Sequence, residues 1–133
     1  MAIYSGPAAT ATAPASGDLS ASQYCFVTLN TSGQVAVAGA GATPVGVLKN
    51  APNAAGDPAT YWLCGSGAIV KLKVDGNAAA ITEDGQDKLK SDASGRGVLT
   101  VTDKDYYAAI GHADSSAQGD IIAVRLESGH ISL

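Results

Sequence analysis

The clearest pattern in the chain is a strict alternation of apolar and charged residues, in which Val70, Leu72 and Val74 alternate with Lys71 and Lys73. A two-residue period places the apolar side chains on one face of a strand and the lysines on the other. This pattern is typical of an antiparallel strand with one face in the core and one in water. We therefore predict a half-buried strand here, with Leu72 facing the core and Lys71 facing solvent.

Short apolar segments recur from residue 24 onward, and turns rich in Gly, Asn, Asp or Ser follow them. These segments contain β-branched and aromatic residues, and none has the 3.6-residue period of an amphipathic helix. Short strands separated by such turns predict a mainly β fold, a small single-domain barrel or sandwich over residues 24–133. The other predicted strands are 24–30, 34–37, 44–48, 60–64, 87–91, 97–102, 106–113 and 119–126.

Residues 1–23 differ in composition, since Ala, Ser, Thr, Gly and Pro dominate them. Pro7 and Pro14 disfavour a helix, and Ile3 and Tyr4 supply the apolar bulk of the segment. Such a segment is either disordered or ordered by a partner. We predict an extended N-terminal arm outside the core that contacts another chain, with these four residues as partner-binding candidates.

Tyr61 and Trp62 are neighbours within one predicted strand, so their side chains point to opposite faces. If one of them lies in the core, the other is exposed or buried against a partner. Exposed aromatic surface on a small domain often marks a contact site. We predict that the outward-facing residue binds a partner, the alternative being a sheet covered on both sides within the chain.

The composition limits the size of the core and the classes of partner. The chain has 133 residues, with one Trp, one Phe and five Tyr, which predicts one domain with a thin core. The net charge is −4 and the eight basic residues are scattered, so we expect no nucleic-acid binding. No apolar run reaches the roughly 18–20 residues that span a bilayer, so we expect no membrane association.

The sequence offers no pattern typical of catalysis or metal binding, so we predict a protein that is not an enzyme and has no cofactor. His112 and His130 lack the paired spacing of zinc ligands, and no Gly-x-Ser-x-Gly motif is present. No secretion signal begins the chain, which favours assembly in a cytoplasm. In that reducing compartment, Cys25 and Cys64 are expected to be free thiols packed in the sheet.

Four stretches together resemble the bacteriophage head decoration, or capsid cement, proteins. They are Pro44–Leu48 (PVGVL), Asp87–Arg96 (DKLKSDASGR), Ala109–Ala113 (AIGHA) and Gly119–Leu126 (GDIIAVRL). The resemblance implies a barrel of β-tulip type. It also implies homotrimers on the outer face of the capsid, which tie major capsid protein subunits together against the internal DNA pressure.

The resemblance and the residue patterns lead to one functional expectation with an alternative. We expect a decoration protein of the virion that is assembled in the host cytoplasm and binds the outer face of the capsid. Its partners are the major capsid protein and other copies of itself. The alternative is a β-barrel adhesion module of a phage fibre or surface layer that recognises glycan through Trp62 and the tyrosines.

Overall fold

The computed structural model describes residues 9–76, 80–81, 87–100, 105–111 and 114–131. These residues form twelve β-strands and one short 3₁₀ helix, Ser20–Ser22, which confirms the predicted mainly β single-domain barrel. Within these ranges no helix is long and apolar enough to cross a bilayer. The strands are β1 Thr10–Pro14, β2 Phe26–Leu29, β3 Val35–Val37, β4 Gly46–Leu48, β5 Pro58–Leu63, β6 Ile69–Asp75, β7 Lys88–Ser91, β8 Gly97–Leu99, β9 Tyr106–Tyr107, β10 Ala109–Gly111, β11 Gln118–Arg125 and β12 Gly129–His130.

The first five strands form an antiparallel sheet in the order β1-β5-β4-β2-β3. Its two outer strands are brought together at one end, where Ala15 forms a parallel bridge with Val35. The Ser16 amide there donates a hydrogen bond of 2.9 Å to the Val35 carbonyl. The curled sheet encloses its own apolar cluster, which contains Ala15, Leu19, Val27, Val35, Leu48, Ala59 and Tyr61.

The segment of residues 9–23 is part of this sheet and its core, which corrects the predicted boundary of the arm. Thr10–Pro14 is extended, as predicted, but it pairs with β5 of the same chain. Ala15 and Leu19 are buried, so the prediction that this segment stays outside the core was wrong for them. The physical reason is that a strand joins a sheet edge through its backbone, for which small side chains suffice. Residues 1–8 lie outside the described ranges.

The second half of the chain forms a closed barrel in the order β10-β11-β6-β8-β7. The alternation predicted in β6 is confirmed, because Val70, Leu72 and Val74 are buried and Lys71 is exposed. The longest pairing of the barrel joins β6 to β11 and contains a bulge between Gln118 and Asp120. In addition, β12 pairs with β9 as a separate two-stranded sheet.

The two halves share a core and are hydrogen-bonded to each other. Phe26, Ala38 and Val47 of the first half pack in the same apolar cluster as Leu72 and Leu89 of the barrel. Backbone hydrogen bonds connect the halves at Phe26 N to Gly95 O (2.6 Å) and Lys73 N to Tyr24 O (2.7 Å). The junction between the halves is therefore a fixed part of one domain.

Candidate partner-binding groove

Tyr61 and Trp62 occupy opposite faces of β5, as their adjacent positions predicted. Tyr61 is only 5% exposed and belongs to the core of the first sheet. Trp62 is half-buried and lines a surface groove. Burial removes Tyr61 from the candidate partner contacts, whereas Trp62 remains available to a partner.

Trp62 stacks with Tyr24, and one lysine lies over each of the two rings. The ring centres of Trp62 and Tyr24 are 6.2 Å apart, and their planes differ by 15°. The Lys49 Nζ lies 5.9 Å from the centre of the Trp62 ring. The Lys71 Nζ lies 5.6 Å from the centre of the Tyr24 ring. Ammonium groups at these distances are attracted to the electron-rich ring faces, so the stack orients both cations.

Tyr24 has an unusual backbone conformation, with a φ of 67°. A side chain in this left-handed region costs roughly 1 kcal/mol, so surrounding structure has to stabilise it. Two hydrogen bonds do so: the Tyr24 amide donates to the Leu48 carbonyl (2.8 Å), and the Lys73 amide donates to the Tyr24 carbonyl (2.7 Å). The first bond connects Tyr24 to β4 and the second connects it to β6, which fixes the residue at the junction of the two halves.

The groove beside this stack has a volume of about 800 Å³ and is lined by both halves of the molecule. Two large aliphatic side chains stand at the surface on the barrel side, with Ile69 66% exposed and Ile121 48% exposed. Both belong to the outer face of the β6–β11 pair, which also presents Lys71. The lining residues are Tyr24, Lys49, Trp62, Ile69, Val70, Lys71, Ile121, Ile122 and Ala123.

The groove is positively charged although the chain as a whole is acidic. Among the residues that the structure describes, its cationic residues are Lys49 and Lys71, and none of its lining residues is acidic. Among the described residues neither lysine forms an ion pair. Three ion pairs that include no groove-lining residue join Lys90 to Asp105 (2.8 Å), Arg96 to Asp92 (3.1 Å) and Arg125 to Glu127 (3.3 Å). The last of these lies next to the groove, because Arg125 is the register partner of Ile69.

The other predicted partner-binding residues are not part of the groove as described. Pro14 is exposed at the end of β1, opposite Pro58, and does not line the groove. Ile3, Tyr4 and Pro7 lie outside the described residues. The start of β1 does lie next to β5 at Trp62, because Thr10 is the register partner of that residue. The first strand of the described chain therefore lies beside the strand that carries the groove tryptophan.

Of the nine lining residues, the predicted partner contacts included only Trp62, and the sequence contained a signal for three of the others. Ile69 has the same parity as Lys71 in β6, so the alternation placed both on the outer face. Ile121 precedes the inward-facing Ile122, and adjacent strand residues face opposite ways. By contrast, Tyr24 and Lys49 join the site only through strand pairing, which no local pattern specifies.

The two cysteines are free, as predicted, and their surroundings suppress reactivity. Burial raises the pKa of the Cys25 thiol. It also raises the pKa of the Cys64 thiol to about 12. Since the thiolate is the nucleophile and the metal-binding form, both side chains are inert at neutral pH.

Apart from the groove, the described ranges show little that is typical of a catalytic or metal-binding site. They contain no group of three or more His, Cys, Asp or Glu side chains arranged to hold a metal ion. His130 packs edge-on against Tyr106, with ring centres 5.5 Å apart. His112 lies outside the described residues.

Comparisons with models of known protein families, with characterised proteins and with solved structures found no match to this chain.

Proposed function

We propose that this protein is a capsid decoration protein. It is not an enzyme; it binds the outer face of a bacteriophage capsid and stabilises contacts between major capsid protein subunits. The observation that supports this best is the groove, where exposed Ile69 and Ile121 flank the Trp62–Tyr24 stack. The four stretches that resemble capsid cement proteins supply the identity of the partner.

The groove has the composition of a protein–protein contact. Contact between isoleucine side chains and water is unfavourable. A partner that covers these side chains gains about 25 cal/mol for each Å² of apolar surface removed from water. Trp and Tyr side chains dominate the binding energy of many protein interfaces. A groove that combines both features on a small domain is suited to hold another protein.

The stack does not favour the alternative of glycan recognition. Sugars bind aromatic side chains by packing their C–H groups on a free ring face. In this groove the two rings stack on each other, and Lys49 and Lys71 lie over the rings. Each ring thus already contacts the other ring and one lysine, and the aliphatic flank suits a polypeptide.

The proposed mechanism is the addition of many identical weak contacts. Copies associate as homotrimers, and each copy contacts capsid subunits that are already held close together, so successive contacts form at high effective concentration. The partner-binding candidates Ile3, Tyr4 and Pro7 of the N-terminal segment add a second contact with the partner. The net charge of −4 suits an exterior position, away from the packaged DNA.

Cosedimentation with empty capsids assembled from the major capsid protein of the same phage tests the proposal. We expect the wild-type protein to pellet with capsids, and Ile69→Ser and Ile121→Ser to weaken this binding. Leu29→Ser is the matched control, because Leu29 is 41% exposed but does not line the groove. Absence of wild-type protein from the capsid pellet would contradict the proposal.

A further inference from the structure

The described lining of the groove contains two cations and no anion. Lys49 and Lys71 lie against the two stacked rings, at 5.9 Å and 5.6 Å from the ring centres. A cation–ring contact at an exposed site stabilises by about 0.5–1 kcal/mol, which biases each side chain toward the groove. Neither lysine has an ion-pair partner in the described part of the chain. Both ammonium groups therefore remain free to pair with carboxylates from outside.

The space beside these cations is apolar. Ile69 and Ile121 form its barrel side, and Ala123 lies between them on the outer face of β6 and β11. A ligand that fills the groove thus has to offer negative charge next to aliphatic groups. A strand or loop with acidic and aliphatic residues in alternation has this chemistry, because its side chains project in two directions.

We propose that the groove binds an extended acidic segment of the partner protein, whose carboxylates pair with Lys49 and Lys71 while separate aliphatic side chains of the segment pack against Ile69 and against Ile121. This inference deepens the proposed function, since it specifies the kind of capsid segment that the domain recognises. It requires that the capsid segment carry negative charge, which contact with Ile69 and Ile121 alone does not require.

A nucleic acid does not fit the same features. Single strands bind through many basic groups along the backbone and through free aromatic faces on which bases stack. Among the described residues the groove offers two lysines, which are too few to follow a phosphate backbone but enough to pair with two carboxylates of a peptide. Protein is therefore the class of ligand that the groove chemistry favours.

The groove contains its own optical reporter, because Trp62 is the one tryptophan of the chain. Fluorescence titration of the intact protein with a capped octapeptide of alternating Glu and Val measures binding at the site. We expect saturable binding that weakens as sodium chloride screens the ion pairs. Octapeptides with Gln or Lys in place of Glu, and a single-stranded DNA octamer, are the comparison ligands, and each is expected to bind more weakly.

Lysine substitutions identify the contacts. Lys49→Gln and Lys71→Gln are each expected to weaken the Glu–Val peptide by about two- to fivefold, the range of an exposed ion pair. Lys88→Gln is the matched control, because Lys88 also lies over a ring, 5.5 Å from the centre of Tyr107, but outside the groove. Affinities are compared by titration midpoint, since removal of Lys49 changes the starting emission. Equal binding of the Lys peptide or the DNA, or unchanged affinity in both groove variants, would overturn the inference.

Capsid binding separates this inference from the proposed function. If the Lys49→Gln/Lys71→Gln protein binds capsids as tightly as wild type, the acidic-segment inference is wrong while the decoration function stands. If the wild-type protein binds the Glu–Val peptide through both lysines but binds no capsid, the groove chemistry is right and the decoration function is wrong.

Discussion

Individual residues show how much depends on the direction in which a side chain points. Leu72 and Lys71 are neighbours in β6, yet Leu72 is completely buried and Lys71 is exposed. The alternation in the sequence predicted this difference without any structural information. The opposite faces of Tyr61 and Trp62 were likewise predicted from the sequence, because adjacent residues of any strand point to opposite faces.

The first prediction at this scale compares truncations on the two faces of β6. Leu72→Ala removes buried methyl groups and leaves a cavity, so it is expected to lower the free energy of unfolding by about 2–4 kcal/mol. Lys71→Ala removes an exposed side chain and is expected to change it by less than about 0.5 kcal/mol. Urea denaturation measures both values. Small and equal effects would contradict the assigned faces.

A second prediction concerns the loss of folding stability that Cys64 causes at alkaline pH. Burial raises the pKa of this thiol from 9.0 to about 12, so the unfolded chain releases the proton first as the pH rises. The contribution of Cys64 to stability is therefore complete below about pH 9 and is lost as the pH rises toward 12. Cys64→Val removes this titration, and its loss of stability between pH 9 and 11 should be smaller than that of the wild type. Parallel curves for the two proteins, followed by thermal melting, would contradict the pKa shift.

At the scale of elements, β1 shows where composition misleads. Its sequence, Thr-Ala-Thr-Ala-Pro, contains no large apolar residue, so sequence reasoning assigned it to a detached arm. The strand nevertheless makes five register pairs with β5, from Thr10–Trp62 to Pro14–Pro58. Backbone hydrogen bonding and the burial of Ala15 just beyond it are sufficient to place it in the sheet.

Deletion variants test this integration of β1. Removal of residues 1–15 exposes β5 and the cluster around Ala15. We therefore expect a lower melting temperature and a less cooperative unfolding transition. Removal of residues 1–8 leaves every β1–β5 pair in place and is the matched control. If both deletions melt like the full chain, β1 is not a stabilising part of the domain.

Gly46 determines how closely β4 approaches β5, the strand that positions Trp62. A Cβ at Gly46 would overlap the Trp62 carbonyl oxygen and lie 2.7 Å from Cδ2 of Tyr61. Gly46→Ala is therefore expected to destabilise the domain by about 1–3 kcal/mol and to shift the Trp62 emission. Gly39→Ala is the control, because a Cβ there meets nothing within 4 Å. Equal stability of the two variants would show that β4 and β5 are not packed this tightly.

Other elements differed from the sequence prediction in their limits. The single strand predicted over 106–113 is divided into β9 and β10, which pair with different partners, β12 and the barrel strands. Ala108, between them, is buried, so the apolar run continues although the pairing changes. A run of apolar residues indicates burial, but it contains no information about the strand with which each part pairs.

At the scale of the whole molecule, the groove depends on the junction between the curled sheet and the barrel. Its residues come from positions 24, 49, 62, 69–71 and 121–123, which are far apart along the chain. The sequence predicted the fold class and the outward direction of one aromatic residue, but it could not predict this convergence. Local patterns specify which face is buried, whereas strand order specifies which exposed residues meet.

The core of the whole molecule continues across the junction. Phe26 and Val47 of the first half join a cluster to which the barrel half contributes eight buried Val, Leu and Ile side chains. Of the three exposed large hydrophobic side chains in the described ranges, Ile69 and Ile121 line the groove that contains the aromatic stack, and Leu29 does not. In the proposed assembly, this surface is covered by the capsid subunit.

Image reconstruction of capsids with and without the protein tests the central claim most directly. The account predicts additional density on the outer face of the capsid that bridges neighbouring major capsid protein subunits. It also predicts that the groove containing Trp62 faces a capsid subunit. Identical reconstructions, or additional density only inside the shell, would contradict the account.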